Sequence, residues 1–394
     1  MKGRRCVQPV PLYHVSNTRE AFMITRRGFA ARFGLGAAAI RMLPEAAYAQ
    51  RATVNAANLP ADMVWLNANE NPAGPPEVSL AAMRDALPTS GRYHFQEFRE
   101  IETAIAGSEG LEPEQILTGA GSSEVLHMAV DVFTSPERPL ILPNPTFEGP
   151  VEVARGLGRP VVRTGLRPDY SVDVQQLAEA AGKARGGLIY LCNPNNPTSA
   201  ITTRKDLQWL VANLPADATL VVDEAYLHFG ETPELESALP YVRQGKDVIV
   251  TRTFSKIYGM AGLRVGFAAA RPEVIRRLSP LRMGVISIVS ARGVVAALAA
   301  RQTILEERRA SLARTRRELC AWLRERNVKF IEPHGNFMMI DVGRNAREFI
   351  DTMPRMGVAP GRPFPPLDNM LRVTIGTDAE MARFRGVFWK VFQA

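Results

Sequence analysis

Cysteine is scarce. Three among 394 residues are too few for a disulfide scaffold or a cysteine-rich zinc module, and no metal-ligand set is read from the chain. No apolar stretch approaches the roughly 18–20 uncharged residues of a membrane span, so no stable membrane insertion is expected. Glycine and proline, at 30 and 29, fall short of low-complexity composition. Apolar residues are not lacking: at 46% they exclude a wholly disordered chain and supply a sizeable core. The length suggests two or three domains of about 100–200 residues each.

The net charge of +8 points to a polyanionic partner only until it is located. Residues 1–49 hold eight cations (Lys2, Arg4, Arg5, Arg19, Arg26, Arg27, Arg32, Arg41) against Glu20 and Glu45, a net +6, which leaves +2 for the rest. A nearly neutral body argues against a large nucleic-acid-binding face. The charged segment reads as a leader. Thr25-Arg26-Arg27-Gly28-Phe29 is followed by a weakly apolar stretch to Ile40, then by Ala47-Tyr48-Ala49. A basic start, apolar middle and small-x-small end form an export signal. The pattern resembles a twin-arginine signal, and because residues 1–22 precede the usual start of such a signal, Met1 and Met23 both stand as translation starts. Periplasmic or secreted location, use of the twin-arginine export machinery and cleavage near Ala49-Gln50 are therefore expected. Cleavage there removes Cys6 and leaves Cys192 and Cys320, read as buried small hydrophobes rather than a disulfide.

Between about residues 110 and 270, short apolar runs alternate with helical patterns. The runs are Pro139–Leu142, Leu188–Cys192, Thr219–Asp223, Val248–Thr251 and Val265–Ala268. Their uniform hydrophobicity suits strands covered on both faces. Ser123–Phe133, Val172–Ala184 and Arg204–Asn213 read as intervening helices. This alternation predicts an α/β domain with a mostly parallel sheet. Residues 273–326 read as long helices, with Leu305, Leu312, Leu319 and Leu323 on helical spacing. Beyond Asn327, strands at Val328–Ile331, Phe337–Val342 and Leu371–Ile375, and helices near 346–356 and at the end, predict a smaller α+β region.

Polar residues gather where the strands end, which in open parallel sheets is the ligand edge. Cys192 is followed by Asn193-Pro194-Asn195-Asn196-Pro197-Thr198. Val222 is followed by Asp223-Glu224-Ala225-Tyr226, and Val250 by Thr251-Arg252-Thr253-Phe254-Ser255-Lys256, with Arg264 eight residues on. Singly, each has a plain alternative: a turn, a helix cap, a solvated lysine. Gly119-Ala120-Gly121-Ser122-Ser123-Glu124 before a helix is a weak phosphate-loop signal. Together they call for one ligand with a phosphate and a protonatable ring. Gly121, Ser122, Ser123 and Arg264 would take the phosphate; a carboxylate and an amine would face the ring. Pyridoxal phosphate has that chemistry.

The chain resembles the fold-type-I, class I/II aminotransferases, and most closely the histidinol-phosphate aminotransferases. The resemblance rests on Leu66-Asn67-Ala68-Asn69-Glu70-Asn71-Pro72, Arg92-Tyr93, Gly121–Glu124, Pro145-Thr146-Phe147, Asn193–Thr198, Asp223–Tyr226, Thr253–Lys256 with Arg264, and Leu371–Thr377. It implies an aspartate-aminotransferase-like fold with a seven-stranded sheet in the large domain and a smaller α+β domain. The implied division is a leader (1–49), an N-terminal segment packing with the small domain (50–84), a large cofactor domain (85–300) and a small C-terminal domain (301–394). Lys256 would bond the cofactor aldehyde and shuttle the proton, and Asp223 would keep the pyridine nitrogen protonated. Asn196 and Tyr226 would hydrogen-bond the ring phenolic oxygen, and Phe147 would stack on the ring. Ser122, Ser123, Ser255 and Arg264 would hold the phosphate, reached also by Tyr93 from the neighbouring subunit of a homodimer. Arg372 would clamp an anionic group of the substrate.

Three features depart from the family. Phe147 stands where tyrosine is usual. The basic residue expected directly after the Gly357-Val358 strand is displaced to Arg362 and flanked by proline, and Ala73 replaces an aromatic residue. Both latter changes would touch the distal end of the substrate, so histidinol phosphate is expected to be a poor donor and an ordinary amino acid a better one. The expected reaction transfers an amino group from an amine donor to a 2-oxo acid. Decarboxylation of an amino acid or its phosphate on the same fold is the alternative. A non-catalytic cofactor binder would lack Lys256 or Asp223, and both are present.

Overall fold

The computed structural model describes residues 60–394, so the leader, with Arg26, Arg27 and the Ala49-Gln50 bond, lies outside the described residues. The strands in chain order are β1 (Val64–Trp65), β2 (Ile116–Gly119), β3 (Leu140–Pro143), β4 (Val161–Thr164), β5 (Gly187–Cys192), β6 (Ala218–Asp223), β7 (Val248–Thr253), β8 (Gly266–Ala269), β9 (Phe337–Asp341), β10 (Val358–Ala359) and β11 (Met370–Thr374). Every residue of β5, β6 and β7 is buried, as uniformly apolar runs require when helices cover both faces.

Seven strands form one sheet in the order β2-β8-β7-β6-β5-β3-β4. β3, β4, β5, β6 and β7 run parallel, whereas β8 is antiparallel to both β2 and β7. The mostly parallel α/β sheet is thus as expected. The apolar runs did not reveal β2 and β4, which lie at the two edges; β4 (Val-Val-Arg-Thr) is only half-buried, and edge strands need no apolar outer contacts.

The helices Ser122–Phe133, Val174–Lys183 and Arg204–Ala212 stand within a residue or two of their expected places. Side-chain caps from Asp173 and Thr203 start the last two, each satisfying otherwise orphaned amides. Residues 272–325 hold three helices, ending in the 25-residue Arg301–Glu325. That helix buries Leu305, Leu312, Leu319 and Leu323. Burial is worth roughly 1.5–3 kcal/mol per such side chain, against about 0–1 kcal/mol for an exposed ion pair such as Arg314–Glu318. The apolar stripe therefore decides how the helix packs.

One expected strand is absent. Val328–Ile331 makes only an isolated bridge, Phe330 to Ile340. Pro333 follows closely and has no N–H with which to extend the pairing. β9 and β11 instead form an antiparallel pair. β1 pairs with β10, which ties the N-terminal segment to the C-terminal region. Cys192 and Cys320 are both buried free thiols, as read from the sequence. Among the described residues no single helix is long and apolar enough to cross a membrane.

Candidate active site

Strand register assembles the site. Cys192, Asp223 and Thr251 are lateral neighbours on β5, β6 and β7, so three strands end in line and their following loops converge. The result is a cavity of about 420 Å³, within the roughly 300–1,000 Å³ usual for small-molecule sites. Its walls include Ser122, Ser123, Phe147, Asn196, Asp223, Tyr226, Ser255, Lys256, Arg264 and Arg372. Ten residues named from sequence thus meet in one place. Gly121 stands directly behind this wall. Tyr93 does not reach it: 73% exposed, it stacks on Phe95 with ring centroids 5.1 Å apart.

One end of the cavity suits a phosphate. Gly121 has φ +77°, and a Cβ there would lie 2.5 Å from Arg264 Nη2. Only glycine lets the guanidinium close over the start of helix Ser122–Phe133. Amides at a helix N-terminus and the hydroxyls of Ser122 and Ser123 then face the same space, a donor set made for an anion. Arg264 also donates to the Ala261 carbonyl at 2.9 Å, and Ser255 Oγ accepts from Thr253 Oγ1 at 2.9 Å.

The middle of the cavity holds the reactive groups. Lys256 Nζ donates to the Ala68 carbonyl at 3.1 Å and lies 5.6 Å from the centre of the Tyr226 ring. The Tyr226 hydroxyl accepts from Asn69 Nδ2 at 3.2 Å; burial pushes its pKa up, so it stays a neutral donor. Asp223 is 3% exposed. Desolvation raises its pKa, opposed by hydrogen bonds from Tyr190 and the Ala225 amide and by the charge of Lys256. A buried carboxylate pushed in this direction gains most from a cationic partner.

The three asparagines of the 193–198 loop divide the work. Asn193 exchanges two hydrogen bonds with the Thr202 backbone. Asn195 ties together Thr146, Pro145 and Thr198. These two build the turn that a plain reading proposes. Asn196 alone reaches the cavity, where its Oδ1 accepts from Arg372 Nη1 at 2.8 Å.

Arg372 is buried, and its other contact is the Asn67 carbonyl. Its Nε is buried with no hydrogen-bond partner. Burial, reinforced by nearby Arg362, holds its pKa down at about 10, against the pull of the Tyr226 phenol. Both guanidinium groups lie over the Phe364 ring, at 4.6 Å for Arg372 and 4.1 Å for Arg362. Among the described residues no carboxylate pairs with Arg372.

The displaced cation is not lost. Arg362 lines the cavity and pairs with Glu148 at 2.8 Å. The displacement along the chain therefore removes no positive charge from this end of the site. Sequence reasoning also left Asn67, Ala68 and Asn69 without roles, although their motif was apparent. Backbone bonds from Leu66 to Ala359 and from Thr374 to Leu66, with the Asn69 amide on Thr374 Oγ1, thread that segment into the cavity wall. Tyr190 gave no signal beyond its place in an apolar strand.

A family model for aminotransferase class I and II matches residues 61–388. A histidinol-phosphate aminotransferase of Symbiobacterium thermophilum is 37% identical over 328 residues, covering 82% of this chain and 89% of that protein. An aromatic amino acid aminotransferase of Cutibacterium acnes is 30% identical, covering 81% and 90%. Among solved structures, a putative histidinol-phosphate aminotransferase from Erwinia carotovora atroseptica superposes with a TM-score of 0.80 at 31% identity, covering 84% and 97%. The Sinorhizobium meliloti histidinol-phosphate aminotransferase in complex with pyridoxal-5'-phosphate also gives 0.80, at 25% identity, covering 89% and 94%. The chain belongs to the class I and II aminotransferases.

Proposed function

We propose that this protein is a pyridoxal-phosphate-dependent transaminase whose donor presents an anionic group to Arg372 and Arg362. The observation that carries the donor assignment is Arg372 itself: a buried guanidinium with an unpaired Nε and only neutral partners. A buried cation of this kind is costly without an anion, so the cavity is built to receive one.

The cofactor fits the residues present, from the glycine cradle beneath Arg264 to the buried Asp223. When bound, it supplies an electron sink for the pair left by removal of a donor α-proton. Ser122, Ser123, Ser255 and Arg264 hold its phosphate. Phe147 covers the ring, where it offers stacking but no hydroxyl. Asp223 holds a proton at the ring nitrogen. Asn196, whose Oδ1 accepts from Arg372, would offer its NH₂ to the ring phenolic oxygen, as Tyr226 would its hydroxyl. Lys256 would hold the cofactor through its aldehyde until the donor amine displaces it, and its freed amine would then carry the proton to and from the donor α-carbon.

A second copy of the chain completes this reading. Exposed, stacked Tyr93 and Phe95 support a homodimer in which Tyr93 serves the neighbour's phosphate. The division at 49, 84 and 300 belongs to the same proposal. So does export by the twin-arginine route, which carries folded proteins. Cofactor loaded in the cytoplasm would travel with the chain to the periplasm and stabilise it by mass action.

The test compares histidinol phosphate with histidinol, and phenylalanine with phenethylamine, using 2-oxoglutarate as acceptor. A charge-assisted contact of about 1.5–3 kcal/mol predicts kcat/KM higher by roughly tenfold to a hundredfold for the anionic member of at least one pair. Because Arg362 remains in the cavity, histidinol phosphate becomes the first candidate, in place of the ordinary amino acid expected from the sequence. Equal rates within both pairs would overturn the anion assignment. Release of carbon dioxide without a keto product would overturn transamination.

A further inference from the structure

We propose that Tyr190 is a positioning residue that locks the Asp223 carboxylate and moderates its hold on the cofactor ring nitrogen. The proposal rests on the reading of Asp223 given above.

Tyr190 lies in β5, two residues before Cys192. Cys192 pairs with Asp223, and Tyr190 with Val221. Side chains of a strand alternate, so Tyr190, Cys192, Val221 and Asp223 point to one face. Tyr190 is thus diagonal to Asp223, a separation that an aromatic side chain can span. Its hydroxyl donates to Asp223 Oδ2 at 2.9 Å. The Ala225 amide donates to Oδ1 at 3.2 Å. With one donor on each oxygen, the carboxylate plane cannot turn freely.

Packing alone does not account for the hydroxyl. Tyr190 is completely buried in an otherwise apolar strand, where phenylalanine would fill nearly the same space. A buried phenol is tolerated when it has a partner, and the partner here is the charged group of the site. Burial and the Asp223 charge push the phenol pKa far up, so the proton stays on Tyr190 and the bond stays a donation to carboxylate. The other titratable groups that sense Asp223 are the Cys192 thiol, the Tyr226 phenol and Lys256. A donated proton draws negative charge away from the face that meets the ring. Removing it should make Asp223 a stronger partner for a protonated ring and raise the proton affinity of the lysine-bound cofactor.

The experiment titrates the visible absorbance of the cofactor-loaded enzyme and measures kcat and KM. Tyr190→Phe should raise the absorbance midpoint by about 0.5 pH unit or more, a roughly threefold change in proton affinity. Because the carboxylate is then held by the Ala225 amide alone and loses its fixed plane, kcat should fall about fivefold or more, with KM nearly unchanged. Ile189→Val, a core change on the same strand, should move neither. Site-specific 3-fluorotyrosine at position 190 is a stronger donor of similar size. It should shift the midpoint downward, and it keeps the test open if Tyr190→Phe fails to fold. An unmoved or lowered midpoint in Tyr190→Phe, or an unmoved one with fluorotyrosine, would overturn the proposal. Asp223→Asn separates the two readings. If it shifts the midpoint and Tyr190→Phe does not, only the Tyr190 role fails; if it shifts nothing, the Asp223 assignment fails with it.

Discussion

Arg372 on β11 and Asn196 in the loop after β5 are 176 positions apart in sequence, yet the guanidinium donates to the amide oxygen at 2.8 Å. The contact joins the proposed substrate clamp to the proposed partner of the cofactor ring. Arg372→Lys loses the planar fork and the Asn196 bond together. With an anionic donor, kcat/KM should fall roughly tenfold to a hundredfold, while histidinol or phenethylamine changes little. Cofactor absorbance should persist. Equal losses for charged and neutral donors would show that Arg372 acts on something other than the anion.

Glu148 and Arg362 form a partly buried ion pair at the cavity edge. Glu148→Gln keeps the shape and removes the counter-charge, so the guanidinium gains attraction for a ligand anion. The ratio of kcat/KM for histidinol phosphate over histidinol should rise about threefold to tenfold, on the scale of ~1 kcal/mol for a partly exposed pair. Steady-state kinetics on the two donors reads this directly.

Lys256→Ala should abolish turnover. Bound cofactor should remain, because the phosphate donors around Arg264 are untouched. Borohydride treatment of the wild-type enzyme should attach a pyridoxyl group to Lys256, found by peptide mass spectrometry; a label on another lysine would reassign the nucleophile.

Asp223 has opposite effects on the empty and the loaded protein. Its folded pKa is raised by burial, so folding disfavours the charged form. That cost appears as pH rises from the ordinary carboxylate range through the raised folded value, and is complete above it. At neutral pH, Asp223→Asn should therefore increase the Tm of the cofactor-free protein. With cofactor bound, the carboxylate meets a protonated ring and the same substitution should lower Tm and remove most turnover. Two melting curves for each protein check the crossover.

Export is tested by Arg26→Lys with Arg27→Lys. Active, uncleaved enzyme should accumulate in the cytoplasm, whereas the parent chain should be periplasmic or secreted, begin near Gln50 and already carry pyridoxal phosphate. Finding the parent protein uncleaved and cytoplasmic would refute export without touching the transaminase reading.

Local pattern alone was enough for the buried strands β3, β5, β6, β7 and β8 and for singling out Asp223, Lys256 and Arg264, which the fold brings into one cavity. Strands covered on both faces must be continuously apolar, and polar groups at their ends then stand out against that background. Edge strand β4 is only half-buried and carries no such requirement, β2 is buried but its apolar run stops at Leu117 before Thr118 and Gly119, and Val328–Ile331 had strand composition without a neighbour it could pair with throughout. Only the tertiary structure decided which asparagine of the 193–198 loop enters the cavity, where Arg362 lies, and what holds Asp223. Each depends on register and on contacts between segments far apart in the chain. Tyr190 is the clearest case: in sequence it is one more apolar residue of β5, and only the lateral pairing of β5 with β6 brings its hydroxyl to a carboxylate.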